Sequence, residues 1–236
     1  MILITRPKSD SLELQKKLKK LKINSSVQEL TKFKISKTRM DLSNSILLVT
    51  SSRSIDYLVR TKSIQTCKQS KFLVIGKETT KRLKQLGCKQ IVISASDSKD
   101  LLKKSKNTFK EKDVIKFLCS NVYNKELVKA LNKMRYKVKI IQVYETLSIK
   151  GLKKSVIRNL KQNKFTAAIF FSQFSINTFF KLSRYENIDR STLKKLHYIC
   201  ISKRVASRAK RFGYKVLLSD EPSKESILKL TQKHFV

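Results

Sequence analysis

The sequence predicts an α/β protein built on parallel β-sheets. Short apolar segments alternate with amphipathic segments along the 236 residues, a pattern typical of strands joined by helices in right-handed crossovers. Some of these segments, such as 46–50, consist of consecutive apolar residues with only the last residue polar, as expected for strands that helices cover on both faces. An internal repeat of strand and helix units indicates the same fold class.

Strands are predicted where apolar and β-branched residues fall together in short runs. The predicted strands are 2–5, 27–30, 46–50, 72–75, 91–93, 114–119, 138–144, 167–171, 198–201 and 216–218, with 33–35 as an extended connector. Helices are predicted where apolar residues recur at helical spacing between lysines. The predicted helices are 11–21, 54–59, 78–86, 97–103, 125–134, 152–160, 176–182, 204–212 and 226–232. Gly87 and Gly213 suit the left-handed residue that ends many helices.

The internal repeat consists of units that recur in matched order along the chain. The corresponding segments are 1–30 with 114–145, 49–55 with 170–176, and 76–87 with 202–213. Any α/β protein shows some self-similarity, which is the alternative explanation. Because the order of the units matches throughout, we interpret the chain as a diverged duplication of about half its length.

The charge balance predicts anionic partners. There are 54 Lys and Arg residues against 17 Asp and Glu residues, for a net charge of +37, and such a surface attracts nucleic acid, anionic lipid or an acidic metabolite. The alternative is a genome-wide composition bias, because Gly and Pro are scarce and most of the basic residues are lysines. The lysine bias argues against a dedicated nucleic-acid reader, since arginine provides bidentate recognition of guanine and phosphate.

Several classes of chemistry have no counterpart in the sequence. Four cysteines without a CxxC pair and two histidines give no zinc, disulfide or multi-histidine motif, so we expect no metal. The chain lacks a glycine-rich dinucleotide or phosphate loop. No acidic cluster follows the first strand, which disfavours a phosphoacceptor domain. The apolar segments are too short for a signal peptide or a membrane span, so we expect a cytoplasmic protein with no membrane partner.

Candidate ligand-binding residues follow the predicted strands, because ligands of open α/β sheets bind at the carboxyl ends of the strands. Most of these residues are small or basic, and none is a carboxylate. They are Arg6, Thr50, Ser51, Ser52, Gly76, Lys77, Ser120, Asn121, Ser172, Ser202 and Lys203. Small side chains at helix starts expose backbone amides that bind anions. The alternative for each serine is helix capping.

Tyr144 also ends a predicted strand, at the point where the chain returns from one repeat toward the other. A tyrosine in this position is able to donate a proton to a bound ligand. The alternative is a packed tyrosine whose hydroxyl reaches the surface. The spacing of the residues alone favours this second interpretation.

The sequence resembles the uroporphyrinogen-III synthases over nearly its whole length. The motifs are Ile-Leu-Ile-Thr-Arg-Pro at 2–7, Val-Thr-Ser-Ser-Arg-Ser-Ile at 49–55, Val-Ile-Gly-Lys-Glu-Thr at 74–79 and Val-Tyr-Glu-Thr at 143–146, with weaker matches at 170–172 and 201–206. The resemblance implies two flavodoxin-like domains, the first from 1–32 with 150–236 and the second from 36–146. It implies linker strands at 33–35 and 146–149, and an active site in the interdomain cleft.

The resemblance also implies a reaction that needs no cofactor. Hydroxymethylbilane, a linear tetrapyrrole with eight carboxylates, loses water and closes with ring D inverted. Tyr144 matches the family's candidate acid, while Arg6, Arg53, Lys77 and Lys203 become candidate carboxylate partners and Thr79 belongs to a matched motif. The resemblance further implies a monomer, and a possible partner is the enzyme that forms hydroxymethylbilane.

The sequence departs from the family pattern at several of these positions. Ser202 and Arg204 stand where the family usually has Gly and Thr, and the Ser-Pro pairs common after the strands are absent. These departures favour backbone roles over side-chain roles there. Two alternatives are a basic two-domain α/β protein that binds nucleic acid or other anions, and a two-lobed binding protein of the periplasmic type. The lack of a recognisable signal peptide counts against the second.

Overall fold

The structure is a computed structural model that describes residues 1–106, 108–110 and 113–235. It divides into two compact units: unit 1 comprises Met1–Lys32 and Leu147–Val236, and unit 2 comprises Phe33–Thr146. The chain passes from one unit to the other twice, so unit 1 is assembled from two separate segments.

Strands and helices alternate along both units. The strands are β1 Ile2–Ile4, β2 Ser25–Val27, β3 Thr31–Ile35, β4 Ile46–Val49, β5 Lys71–Ile75, β6 Ile91–Ala95, β7 Val114–Ser120, β8 Lys137–Ser148, β9 Ala167–Phe170, β10 His197–Cys200 and β11 Lys215–Leu218. The helices are α1 Lys8–Lys20, α2 Ser52–Arg60, α3 Ile64–Cys67, α4 Lys77–Gln85, α5 Ser98–Ser105, α6 Lys125–Lys133, α7 Lys154–Lys161, α8 Gln173–Tyr185, α9 Arg190–Lys195, α10 Lys203–Lys210 and α11 Lys224–Phe235.

Unit 1 contains a five-stranded sheet with the order β2-β1-β9-β10-β11. All four neighbouring pairs are parallel. Counted along the chain, this order is 2-1-3-4-5, the arrangement of the flavodoxin-like doubly wound sheet. The predicted parallel α/β class is therefore confirmed in this unit.

Unit 2 contains most of a six-stranded sheet with the order β3-β8-β7-β4-β5-β6. The five strands from β4 to β8 form parallel pairs. The edge strand β3 is antiparallel to β8, because the Ser36 N–H donates to the Val143 carbonyl while the Ile149 N–H donates to the Leu30 carbonyl. The chain passes between the two units once within β3 and once within β8.

The two sheets share one spatial order. When β4, β5, β6, β7 and β8 are matched with β9, β10, β11, β1 and β2, both sheets give the same sequence of neighbours. The matched strands are the ones that the sequence repeat pairs. The chain orders differ by a cyclic permutation, because unit 1 begins with the strands that unit 2 places last. The topology therefore supports the interpretation of a duplication.

The strands are buried on both faces, which explains their continuously apolar sequences. In β4, Leu47 and Val49 pack into one apolar cluster while Leu48 packs into another. In β1, Leu3 and its neighbour Ile4 likewise belong to different clusters. Successive side chains of a strand point to opposite faces, so each sheet separates two apolar layers covered by helices.

The predicted elements are present, with shifts at their ends. The strand expected at 27–30 is Ser25–Val27, because the polar Ser25 and Ser26 form the ladder while the apolar Leu30 is buried beyond it. The short helices α3 and α9 were not predicted, since four and six residues show too little periodicity. Gly87 and Gly213 have φ values of +84° and +72°, which confirms their predicted conformation.

Within the described ranges, no helix is long and apolar enough to cross a membrane. All four cysteines are buried and free. In the part of the chain that the structure describes, no group of three or more His, Cys, Asp or Glu side chains is arranged to hold a metal ion.

Candidate active site

Three of the candidate serines cap helices at the carboxyl ends of strands. The hydroxyl oxygens accept backbone N–H bonds: Ser51 from Arg53 at 3.2 Å, Ser172 from Ser175 at 3.0 Å and Ser202 from Val205 at 3.4 Å. The capping alternative is therefore confirmed for these three. Capping directs the hydroxyl oxygens to the protein's own backbone and leaves other first-turn amides as the groups that face outward.

In the helices that follow these caps, no acidic side chain in the first turn offsets the partial positive charge of the helix N-terminus. The first turns of α2, α8 and α10 contain no acidic residue, whereas α1 and α4 carry Asp10 and Glu78 there. Aligned peptide dipoles give a helix start a partial positive charge that attracts anions. The starts of α2, α8 and α10 are thus suited to carboxylate groups.

Arg6 and Arg53 occupy similar surroundings in the two units. The Arg6 guanidinium pairs with Asp10 at 3.1 Å and lies 4.3 Å from the centre of the Phe171 ring. The Arg53 guanidinium pairs with Asp56 at 3.0 Å and lies 4.8 Å from the centre of the Phe33 ring. Both arginines are therefore held in place by a carboxylate and an aromatic ring.

The two aspartates belong to the candidate site, although the sequence pattern did not indicate them. They lie within α1 and α2, whereas the predicted positions are at the strand ends, which contain no carboxylate. Asp56 is three residues after Arg53 on α2, a spacing that brings side chains together on a helix. Asp10 is four residues after Arg6, which precedes the start of α1. Asp56 also pairs with Arg82 at 2.6 Å, so a second guanidinium shares its charge.

The segment after β5 uses one of its candidate anion-binding groups within the protein. Gly76 has a φ of +101°, and its N–H donates to the Ala95 carbonyl at 2.8 Å, so this amide is already used. Thr79 is buried, whereas Lys77 is exposed. Lys77 is thus the basic residue of this segment whose side chain is exposed, next to the exposed Glu78.

Tyr144 is placed by an irregularity between β7 and β8. Cys119 pairs with Gln142, but the next residue, Ser120, pairs with Tyr144, so Val143 is an extra residue in the ladder. A bulge of this kind redirects the side chains that follow it. The Tyr144 ring is buried and meets the edge of Phe33 with ring centres 6.0 Å apart.

The neighbours of Tyr144 act on its phenol in opposite directions. Burial is the largest effect and raises the pKa of Tyr144, while hydrogen-bonding by the side chains of Ser51 and Ser120 and the charge of Arg53 lower it. Tyr144 therefore keeps its proton at neutral pH and has polar groups beside it that favour the phenolate.

Ser120 is the last residue of β7 and Asn121 follows it, and both side chains bond to neighbouring backbone. The Ser120 hydroxyl donates to the Val122 carbonyl at 2.7 Å and accepts from the Val122 N–H at 2.9 Å. The Asn121 side chain bonds to both backbone groups of Thr146. These contacts stabilise the turn after β7 and attach it to Thr146, two residues after Tyr144.

The candidate residues form a group within each unit. In unit 2, the adjacent strands β7, β4 and β5 end within two residues of Ser120, Ser51 and Gly76, and Ser120 is aligned with Tyr144 on β8. The prediction that Tyr144 ends its strand is wrong, because β8 continues to Ser148 where it pairs with β3. Thr50 is half-buried and Ser52 exposed at the end of β4. In unit 1, adjacent strands β1, β9 and β10 bring together the remaining residues, which are Arg6, Ser172, Ser202 and the exposed Lys203.

A cavity in unit 1 lies near the amino ends of strands β10 and β11. Its volume is about 430 Å³, and its lining includes Phe180, Leu193, Phe212 and Tyr214. Leu193 and Tyr214 precede β10 and β11, whereas the candidate residues follow strands. We therefore assign the candidate site to the carboxyl ends of the strands rather than to this cavity.

Comparisons with known proteins identify the family. The family model for uroporphyrinogen-III synthase HemD matches residues 13–229. No curated protein sequence matches significantly. The structure resembles that of uroporphyrinogen-III synthetase from Helicobacter pylori 26695, with a TM-score of 0.67, 17% identity and 98% of each chain covered.

A second similar structure is that of a mutant uroporphyrinogen III synthase from the extremely thermophilic bacterium Thermus thermophilus. It has a TM-score of 0.63 and 15% identity, with 99% of this chain and 96% of that chain covered. At such identities the structural matches establish the shared fold, while the family model spans most of the sequence. The chain belongs to the uroporphyrinogen-III synthase family.

Proposed function

We propose that this protein closes hydroxymethylbilane to uroporphyrinogen III, with Tyr144 as the proton donor and helix-start amides as the carboxylate ligands. The family is one of lyases in tetrapyrrole biosynthesis. The observation that carries the assignment of Tyr144 is the bulge that sets its phenol opposite Ser120 at the carboxyl end of the sheet.

The first chemical task is to remove the substrate's hydroxyl group as water. Tyr144 donates its proton to this hydroxyl, and the carbon–oxygen bond breaks as the lone pair of the pyrrole nitrogen shifts into the ring, which releases water and leaves a protonated azafulvene. Ring D attacks this electrophile, and a proton released during ring closure returns to the Tyr144 phenolate. General acid assistance of this kind contributes about 10²–10⁴-fold. Ser51 and Arg53 favour the ionised phenol and so offset the cost of forming a phenolate in a buried position.

The second task is to hold the flexible chain so that ring D reacts at its substituted carbon. Positioning of reacting groups is a major source of rate enhancement. The starts of α2, α8 and α10 offer backbone amides without acidic neighbours in the first turn. Lys203 is exposed at the start of α10 and Lys77 is exposed at the start of α4. These groups together suit a substrate that bears eight carboxylates.

The remaining implications of the resemblance form part of the same proposal. They are a substrate bound by both units, activity as a monomer, a cytoplasmic location and delivery of hydroxymethylbilane by the enzyme that makes it. The net charge of +37 supports the attraction of a multiply anionic substrate.

The test is the conversion of freshly prepared hydroxymethylbilane, with separation of the type I and type III rings. We expect Tyr144→Phe to lower kcat at least about tenfold, because general acid assistance is removed, with the circular dichroism spectrum unchanged. Tyr185→Phe is the matched control, since that side chain is 76% exposed and should retain full activity. Formation of only the spontaneous type I ring by the unaltered protein would contradict the activity, and an unimpaired Tyr144→Phe variant would exclude the role of Tyr144.

A further inference from the structure

We propose that Asn121 is a positioning residue for Tyr144 rather than a substrate ligand. The inference rests on the proposed role of Tyr144 in the reaction. It assigns a function to a side chain that the sequence placed among the carboxylate-binding candidates.

The Asn121 side chain is bonded at both ends to one residue of the neighbouring strand. The Thr146 N–H donates to Asn121 Oδ1 at 2.8 Å, and Asn121 Nδ2 donates to the Thr146 carbonyl at 3.4 Å. These are the two backbone groups that a strand neighbour would bond in a sheet ladder. The side chain of Asn121 therefore continues the pairing of β8 beyond Ser120, the last residue of β7.

This continuation follows directly after the bulge that places Tyr144. The register shifts between Cys119 and Ser120, and the backbone pairing of β7 with β8 stops at Ser120 and Tyr144. A bulge disrupts the local ladder, so β8 needs another attachment on its β7 side, while β3 holds its other side through the Ser36 N–H and the Val143 carbonyl. Asn121 provides this attachment two residues after Tyr144.

The same bonds argue against a direct role in substrate binding. The Asn121 amide group has two N–H donors, and one of them is directed to the Thr146 carbonyl. A substrate carboxylate that took both donors would break this bond and loosen the segment that holds Tyr144. The geometry is thus that of a support for the phenol.

Kinetics of Asn121→Ala separate the two roles. Because a small misplacement of a reacting group is costly, we expect kcat to fall about tenfold and KM to change less than about twofold. Asn121→Asp retains the acceptor of the shorter bond, so its kcat should exceed that of Asn121→Ala. A ligand role predicts the reverse, with a raised KM that is worst for Asn121→Asp because its carboxylate repels the substrate.

A double-mutant cycle with Tyr144→Phe tests whether Asn121 acts through the phenol. In the Tyr144→Phe background, Asn121→Ala should lower kcat less than about twofold, because contacting and coupled residues have non-additive effects. Fully additive losses, with Tyr144→Phe itself impaired, would overturn this inference and leave the proposed function intact. An unimpaired Tyr144→Phe variant would overturn the role of Tyr144 and this inference with it. If Asn121→Ala does not fold, Asn121→Asp is placed in the same cycle and judged by the same criterion.

Discussion

Single residues of the candidate site are mostly bonded to other parts of the protein before any substrate arrives. Ser51, Ser172 and Ser202 cap helices, and Arg6 and Arg53 are paired with aspartates. Such contacts cost binding energy if a ligand must break them, but they fix the groups in position. The candidates that the sequence grouped by type therefore divide into supporting residues and residues that face outward.

Gly76 provides a prediction at the scale of one residue. Its φ of +101° lies in a region that side-chain-bearing residues rarely adopt, although an added Cβ would meet only Thr79 Oγ1, at 3.5 Å. We expect Gly76→Ala to lower the free energy of unfolding by about 1–3 kcal/mol through backbone strain. Urea denaturation measures the loss.

Gly151→Ala is the matched control for Gly76→Ala. An added Cβ there also meets a single side-chain oxygen at 3.5 Å, that of Glu186, but Gly151 is not among the glycines with positive φ. Its free energy of unfolding should remain within about 0.5 kcal/mol of the original value. Equal losses for the two variants would show that crowding, and not the backbone conformation, governs Gly76.

Helix starts are the elements on which the proposed substrate binding depends. In α8 the Ser172 hydroxyl accepts from the Ser175 N–H, and the first turn holds no acidic side chain. The element thus contributes in two ways that substitutions separate: the cap stabilises the helix, and the uncompensated amides attract carboxylate.

Three substitutions of Ser172 distinguish these contributions. Ser172→Ala should cost about 1 kcal/mol of stability because it removes the cap, while Asn and Asp retain the cap. Ser172→Asp should still raise KM, since its charge competes with substrate carboxylates at the helix start, whereas Ser172→Asn should leave KM nearly unchanged. Thermal unfolding and steady-state kinetics measure the two effects. Equal KM values for the Asn and Asp variants would exclude the α8 start from carboxylate binding.

At the scale of the whole molecule, four buried thiols, which lie in both units, make the free energy of unfolding depend on pH. Burial raises the pKa of Cys67, Cys119 and Cys200 from 9.0 to about 12, and that of Cys88 to about 11. In the unfolded chain these thiols ionise near their ordinary value, while the folded protein keeps them protonated. Stability is therefore retained below about pH 9 and falls as pH rises toward the folded-state values.

The expected slope is about 1.4 kcal/mol per pH unit for each thiol, because above the unfolded pKa the unfolded state binds one proton fewer. Urea denaturation between about pH 8 and 10 measures it. Cys200→Ala should be less stable overall, because it leaves a space in the core of unit 1, but its stability should fall less steeply with pH. A slope unchanged by the substitution would show that this thiol does not contribute.

The sequence by itself was sufficient for the fold class and for the order of the elements. Apolar runs covered on both faces and amphipathic segments between them are local properties, so β4, β9 and most of the helices appear where their residues predict them. The caps at Ser51, Ser172 and Ser202 also follow from local chemistry, because a short hydroxyl side chain before a helix bonds its first turn. Short helices such as α3 were not predicted, because they are too short to show a repeating pattern.

Only the tertiary structure decided which strands pair and in what register. The five parallel strands of each unit are compatible with many orders, and the order that joins β1 to β9 depends on contacts between residues far apart in the chain. The bulge that aligns Tyr144 with Ser120 and the ring of Phe171 beneath Arg6 are likewise contacts across elements. Local sequence sets the preference of a segment for helix or strand, but the position of a side chain in a site depends on packing between elements, which a pattern along the chain does not encode.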